Sequence, residues 1–173
     1  MSEPMNLTVE VWPVVADEAG LWLVSGDDAW RFGPVPADSD VHYEVEFLMA
    51  DHGVTGQDVA AVHSTSWRPD GPSVVLTYMA AVKADGFALD RWPGALPITP
   101  ELAEAVGRPP THAANEAPVP RYVDVALHGL RHLAYLIDHD RTNADAMGDL
   151  WRQHLAPFEP AMAGMYSEPH KAA

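Results

Sequence analysis

The sequence predicts an α/β fold: a three-layer α/β/α sandwich around a mixed sheet, extended by a C-terminal helical segment. Three observations carry that expectation. Runs rich in β-branched residues fill the first half of the chain, one helical stretch over residues 41 to 51 interrupts them, and two helical stretches with apolar stripes close it. A chain of 173 residues is the usual size of one domain with one sizeable core, so residues 1–173 read as a single domain.

The elements follow in order. Leu7 to Val15 alternates as a strand does, a turn covers Asp17 to Gly20, and Leu21 to Val24 forms a second strand. A turn at Gly26-Asp27-Asp28 leads into Trp30-Arg31-Phe32, and the prolines of Gly33-Pro34-Val35-Pro36 impose a loop. Ser39 or Asp40 caps a helix over Val41 to Asp51, with Val41, Val45, Leu48 and Met49 as its apolar stripe and Gly53 just past its end. Val59 to Trp67 and Val74 to Val82 form a strand pair around Pro69-Asp70-Gly71-Pro72, the second strand apolar on both faces as a central strand is.

From Ala84 to Pro97 the chain reads as loop. Thr99-Pro100-Glu101 opens a short helix ending at Gly107, and the prolines of Arg108 to Pro120 mark a linker. A helix over Arg121 to Asp138 presents Val123, Leu127, Leu130, Ala134 and Ile137, and one over Ala144 to Leu155, capped by Thr142, presents Met147, Leu150, Trp151 and Leu155. Such stripes must pack on the sheet or on a second copy of the chain, and a homodimer is the expectation.

Composition narrows the function. The net charge of −15 repels a phosphate backbone, which excludes a nucleic-acid polymer as partner and leaves room for a small phosphate held by a local cation. No apolar run approaches membrane-spanning length, so no membrane partner is expected. The opening stretch MSEPMNLTVEVWPVV lacks the positive start and cleavage site of a secretory signal. With no cysteine, disulfides and thiol catalysis are excluded, any metal takes O and N ligands, and a cytoplasmic location is the expectation.

The run LWLVSGDDAWRFGPVP, the helix end EFLMADHGV and the pair VHSTSWRPDGPSVVLTYMAAV together resemble the Nudix family, over residues 6–83, with 98–156 as a helical extension that matches nothing. That family's signature is Gly-x5-Glu-x7-Arg-Glu-U-x-Glu-Glu-x-Gly-U, where U is aliphatic. Its glutamates hold Mg²⁺ or Mn²⁺ on a diphosphate. Aligned on Gly53-Val54, Leu48 fits the aliphatic slot, Asp38 takes the early glutamate slot and Glu46 the arginine slot. Phe47 and Ala50 stand in two glutamate slots, and Asp51 alone keeps a carboxylate there. Phe47 then reads as a residue recruited to the core. Mg²⁺ is held by carboxylate oxygens in near-octahedral geometry, and this set is too poor for the family's site. A displaced site would use Asp38, Glu44, Glu46 and Asp51, with Glu44 and Asp51 sharing a helical face as the metal ligands. Otherwise these are solvated acids on an amphipathic helix.

Two more constellations stand out. Asp124, His128 and His132 recur every fourth residue and could hold a metal from one helix face. His139 follows two turns on, and His112 and His154 could approach in space. Trp30, Trp67 and Trp92 sit beside Arg31, Arg68 and Arg91, and Trp30, Arg31, Trp67 and Arg68 could sandwich a base and hold its phosphate. No P-loop and no nucleophilic-serine elbow is present.

Three functions are compatible with these residues. The first is a catalytically degenerate Nudix-like domain that binds a nucleotide-like small ligand or serves as an interaction module. The second is a working pyrophosphohydrolase with the displaced carboxylate site, using Mg²⁺ or Mn²⁺. The third is a histidine-based metal-binding protein. The first is favoured, because the ligand slots are damaged while the fold signals around them are intact.

Overall fold

A computed structural model describes residues 6–84, 89–101 and 122–163. Six strands form one mixed sheet: β1 (Asn6–Asp17), β2 (Gly20–Leu23), β3 (Trp30–Phe32), β4 (Val59–Asp70), β5 (Ser73–Val82) and β6 (Leu96–Ile98). Within the described residues three helices accompany it: α1 (Val41–Asp51), α2 (Tyr122–His139) and α3 (Arg141–Leu155). The strand order is β4-β5-β1-β2-β6. β5 runs parallel to β1 on one side, while β2 and β3 pair antiparallel with successive stretches of β1 on the other. The α/β sandwich is as expected.

Alternation along β1 divides the core into two layers. Val9, Val11 and Val15 face α1 and pack with Trp30, Val45, Leu48, Met49 and Val82. Trp12, Val14 and Ala16 face the other way and pack with Leu127, Leu130 and Leu133 of α2 and Met147, Trp151 and Leu155 of α3. The stripes of the two C-terminal helices are therefore covered by the sheet within the chain. Gly129 permits the close approach of α2, since a Cβ there would fall 2.0 Å from Cε of the fully buried Met79.

The local signals act as expected in most places. Asp40 caps α1 by accepting from the His42 amide at 2.8 Å, and Gly53 closes the helix at a φ of 81°. Four details differ. The cap of α3 is Asp140, which accepts from the amides of Thr142 and Asn143 at 2.9 and 3.1 Å, so Thr142 lies inside the helix. Gly148, at a φ of 79°, breaks α3 at its middle. β6 arises inside the expected loop, where three residues around Pro97 pair with β2 and are too short to show a period. Phe47 is 55% exposed and lies outside the core, because the stripe of Val45, Leu48 and Met49 is the face that α1 buries. The helix and linker expected over 101–120 lie outside the described residues from 102 onward.

Candidate ligand site on the sheet

The register of the sheet places a carboxylate, a hydroxyl and a guanidinium in one row. Glu10 of β1 pairs with Thr77 of β5 on one side and Arg31 of β3 on the other. All three point to the α2–α3 side, and Arg68 of β4 reaches into the same row. Glu10 is fully buried and both of its oxygens are saturated. Oε1 accepts from Arg68 Nη1 at 2.5 Å, Thr77 Oγ1 at 2.7 Å and Trp12 Nε1 at 3.4 Å. Oε2 accepts from Arg68 Nη2 at 2.7 Å and Arg31 Nε at 3.2 Å.

Burial alone would raise the Glu10 pKa. The hydrogen bonds from Arg68 and Thr77 and the charges of Arg68 and Arg31 outweigh it and hold the carboxyl below its ordinary range. Arg68 is pushed the other way, mainly by its hydrogen bond to Glu10, and stays protonated. The side chain of Arg68 is 15% exposed and that of Arg31 is 46% exposed. Arg31 commits Nε to Glu10, while its Nη2 lies 3.6 Å from the exposed Asp28 carboxylate. An exposed pair of that length is weak. The outer edge of the Arg31 guanidinium is thus oriented by a buried acid and loosely held on the solvent side.

The Trp–Arg sandwiches expected at residues 30–31 and 67–68 do not form, for a reason intrinsic to strands. Neighbours along a strand point to opposite faces. Arg31 and Arg68 meet on Glu10, whereas Trp30 lies in the α1 layer, stacked on His52 with ring centroids 4.2 Å apart. Trp67 pairs with Leu76, which packs into that same α1 layer, and it is 64% exposed. Arg91 and Trp92 do meet, with the guanidinium carbon 5.1 Å from the ring centroid, where Arg91 ends a short turn of helix at Leu89–Arg91 and Trp92 follows it.

The acids on and before α1 do not converge. Asp38 and Asp51 are exposed. Glu44 is bound by the Ser39 hydroxyl, and Glu46 faces His42 at 3.4 Å. Among the described residues no group of three or more His, Asp or Glu side chains is placed to hold a metal ion. A cleft of about 400 Å³ opens between the start of β1 and the 34–41 segment, lined by Leu7, Val35 and Val41 among others and by none of the expected site residues.

The histidine stripe of α2 also separates. Nε2 of His128 lies 3.1 Å from the Thr65 carbonyl, and His132 turns instead to His63 of β4, with Nε2 and Nδ1 2.9 Å apart. Asp124, His128 and His132 therefore do not share one ligand position. Burial lowers the pKa of both histidines; for His128 the charge of Arg131 adds to it, for His132 the neighbouring His63. His139 stacks on Tyr135, and His154 meets the Asp17 carbonyl at 2.8 Å. His112 lies outside the described residues.

Glu10 and His63 escaped the sequence reading. The signal for Glu10 is one acid in an otherwise apolar central strand, LTVEVWPVV, where an unpaired charge would be prohibitive and a cation must follow. His63 carries no such signal, because its partner is distant in sequence. No protein-family model matches the chain, and a search of curated proteins finds no match either.

Proposed function

We propose that the chain is a non-hydrolysing binding module of Nudix-like descent, which takes up a small anionic, nucleotide-like ligand at the guanidinium of Arg31. The observation that carries this reading is the half-exposed Arg31, aimed by Glu10 and, among the described residues, held on its outer side by a long contact to Asp28. A phosphate or carboxylate oxygen makes a charge-assisted hydrogen bond there and displaces Asp28. The absence of turnover is supported by Phe47 and Ala50, both exposed on α1 in glutamate slots, and by Glu46 in the arginine slot. Mg²⁺ or Mn²⁺ has a role only if hydrolysis occurs.

Calorimetric titration with inorganic pyrophosphate and with nucleoside diphosphates tests the reading. Binding is expected in wild-type protein, lost in Arg31→Ala and kept in Trp67→Ala, because Trp67 lies on the opposite face. No binding, or binding indifferent to Arg31→Ala, overturns the ligand assignment. Metal-dependent turnover that disappears in Asp51→Ala overturns the non-hydrolysing one.

A homodimer and a cytoplasmic setting belong to the same proposal. Tyr43 and Phe47, 64% and 55% exposed and one turn apart on α1, are the surface that a second copy would cover. Light scattering at tens of micromolar, as an order of magnitude suited to weak dimers, reads the mass directly, and a clean monomer removes the dimer.

A further inference from the structure

We propose that His63 and His132 form a two-imidazole site for a divalent transition-metal ion of the Zn²⁺, Ni²⁺ or Cu²⁺ class, clamping the edge strand β4 to α2. The two ring nitrogens face each other at 2.9 Å, with ring planes tilted by 48° rather than stacked. The Nε2 lone pair of His132 and the Nδ1–H of His63 thus face each other, and the metal takes the place of the shared proton. Metal–imidazole bonds of about 2.0–2.1 Å in tetrahedral geometry set the two nitrogens roughly 3.3 Å apart. Opening the pair by a few tenths of an ångström is enough, and His63 is exposed and has room to move.

A second observation points the same way. His132 is buried, at 3% exposure, and its other nitrogen, Nδ1, lies 3.4 Å from the Ala161 carbonyl oxygen. A carbonyl only accepts, so Nδ1 carries the proton and Nε2 is left bare toward His63. Metal-binding histidines are typically prepared in this way, by a backbone carbonyl that fixes the tautomer and orientation of the ring. His63 then gives up its Nδ1 proton, now shared between His132 and the Ser64 carbonyl at 3.1 Å, and takes the Nε2–H tautomer with no net change in charge. Water fills the remaining positions on the solvent side. Imidazole nitrogens select borderline ions over Mg²⁺ or Ca²⁺, and the net charge of −15 favours any cation at the surface.

The site is independent of Arg31 and of the anion reading. Untagged, metal-free protein titrated with Zn²⁺ or Cu²⁺ is the test, by calorimetry and by the ¹⁵N shifts of the histidine rings. One ion per chain is expected, with both His63 and His132 shifted. Affinity should fall by more than about tenfold in His63→Ala, above the roughly tenfold that is the least expected from the loss of an outer partner alone, and stay unchanged in His139→Ala. His63→Ala is the safe variant because the ring is exposed; its circular dichroism should match wild type. No binding, binding unchanged by His63→Ala, or an ion that shifts other histidines overturns the proposal.

Discussion

Arg68 grips both oxygens of Glu10, Nη1 on Oε1 at 2.5 Å and Nη2 on Oε2 at 2.7 Å, across the width of β5. The two residues lie 58 apart in sequence, and their pairing ties the β4–β5 hairpin to the central strand. Removing one partner of a buried ion pair leaves an uncompensated charge and costs roughly 3–5 kcal/mol. Arg31 remains to share that charge, so Arg68→Ala is expected at the lower end, about 3 kcal/mol. The double change Glu10→Leu with Arg68→Leu should cost less than Arg68→Ala alone, because no charge is left buried. Urea unfolding of the three proteins measures both values. A double variant that loses more than Arg68→Ala alone would overturn this expectation.

The pH dependence of stability follows from the same groups. Glu10 titrates below its ordinary range in the folded chain, so its contribution is fully present above the unfolded value of 4.5 and is lost as pH falls through the lower folded value. His128 is a base with a lowered pKa. Below the unfolded value of 6.5 the unfolded chain takes up a proton that the folded chain refuses, and stability again falls with pH. His132 is lowered in the same way and adds to this limb, so acid unfolding should begin near pH 6.5 and steepen below 4.5, and His128→Gln should flatten the upper limb in part and leave the lower one unchanged. Thermal midpoints of metal-free protein between these values check it; a midpoint that rises on acidification contradicts the assignment.

Much of this arrangement was legible in the sequence because it is local. Asp40 followed by an apolar stripe and Gly53 delimits α1, and the alternation of β1 and β5 announces a sheet covered on both faces. The site was half legible. Arg31 and Arg68 stand out by residue type, but which face each takes depends on strand phase, and the tryptophans beside them have the opposite phase. Register decides that Glu10, Thr77 and Arg31 share a row, and register is a long-range property. The pairing of His63 with His132 depends in the same way on where α2 docks, which Gly129 and Met79 set.

That docking point gives a third expectation. A methyl group at Gly129 would lie 2.0 Å from Met79 Cε and 3.3 Å from its Cβ, and Met79 is fully buried. Gly→Ala in a helix gains about 1 kcal/mol in propensity, while overpacking a core costs about 1–3 kcal/mol. With Met79 enclosed, the second effect wins. Gly129→Ala should lose about 1 kcal/mol, and adding Met79→Val should recover most of it. Denaturant midpoints of the three proteins decide the matter; a stabilised Gly129→Ala would mean that Met79 has another rotamer open to it.

The last expectation concerns positions 47 and 50 of α1, which the Nudix-like reading places in glutamate slots. Phe47, Ala50 and Asp51 are all exposed. Residues three and four apart are neighbours on a helix surface, so glutamates at 47 and 50 would join Asp51 in one solvent-facing patch. Phe47→Glu with Ala50→Glu removes no core contact, since α1 buries Val45, Leu48 and Met49 instead. The added acids sit near the C-terminal end of α1, where the helix dipole and their mutual repulsion each oppose them by a few tenths of a kcal/mol. A total loss of about 1 kcal/mol or less is expected, well below the several kcal/mol of burying an unpaired carboxylate. Among the described residues no His, Asp or Glu group is placed to complete an octahedral shell with this patch, so Mn²⁺ should bind no tighter than about millimolar, as weak carboxylate sites do, and no pyrophosphate hydrolysis should appear. Thermal melts, Mn²⁺ relaxation titration and a phosphate-release assay on the double variant measure the three outcomes. Micromolar Mn²⁺ binding with new turnover would show that this face of α1 is a dormant active site and would displace the binding-module reading.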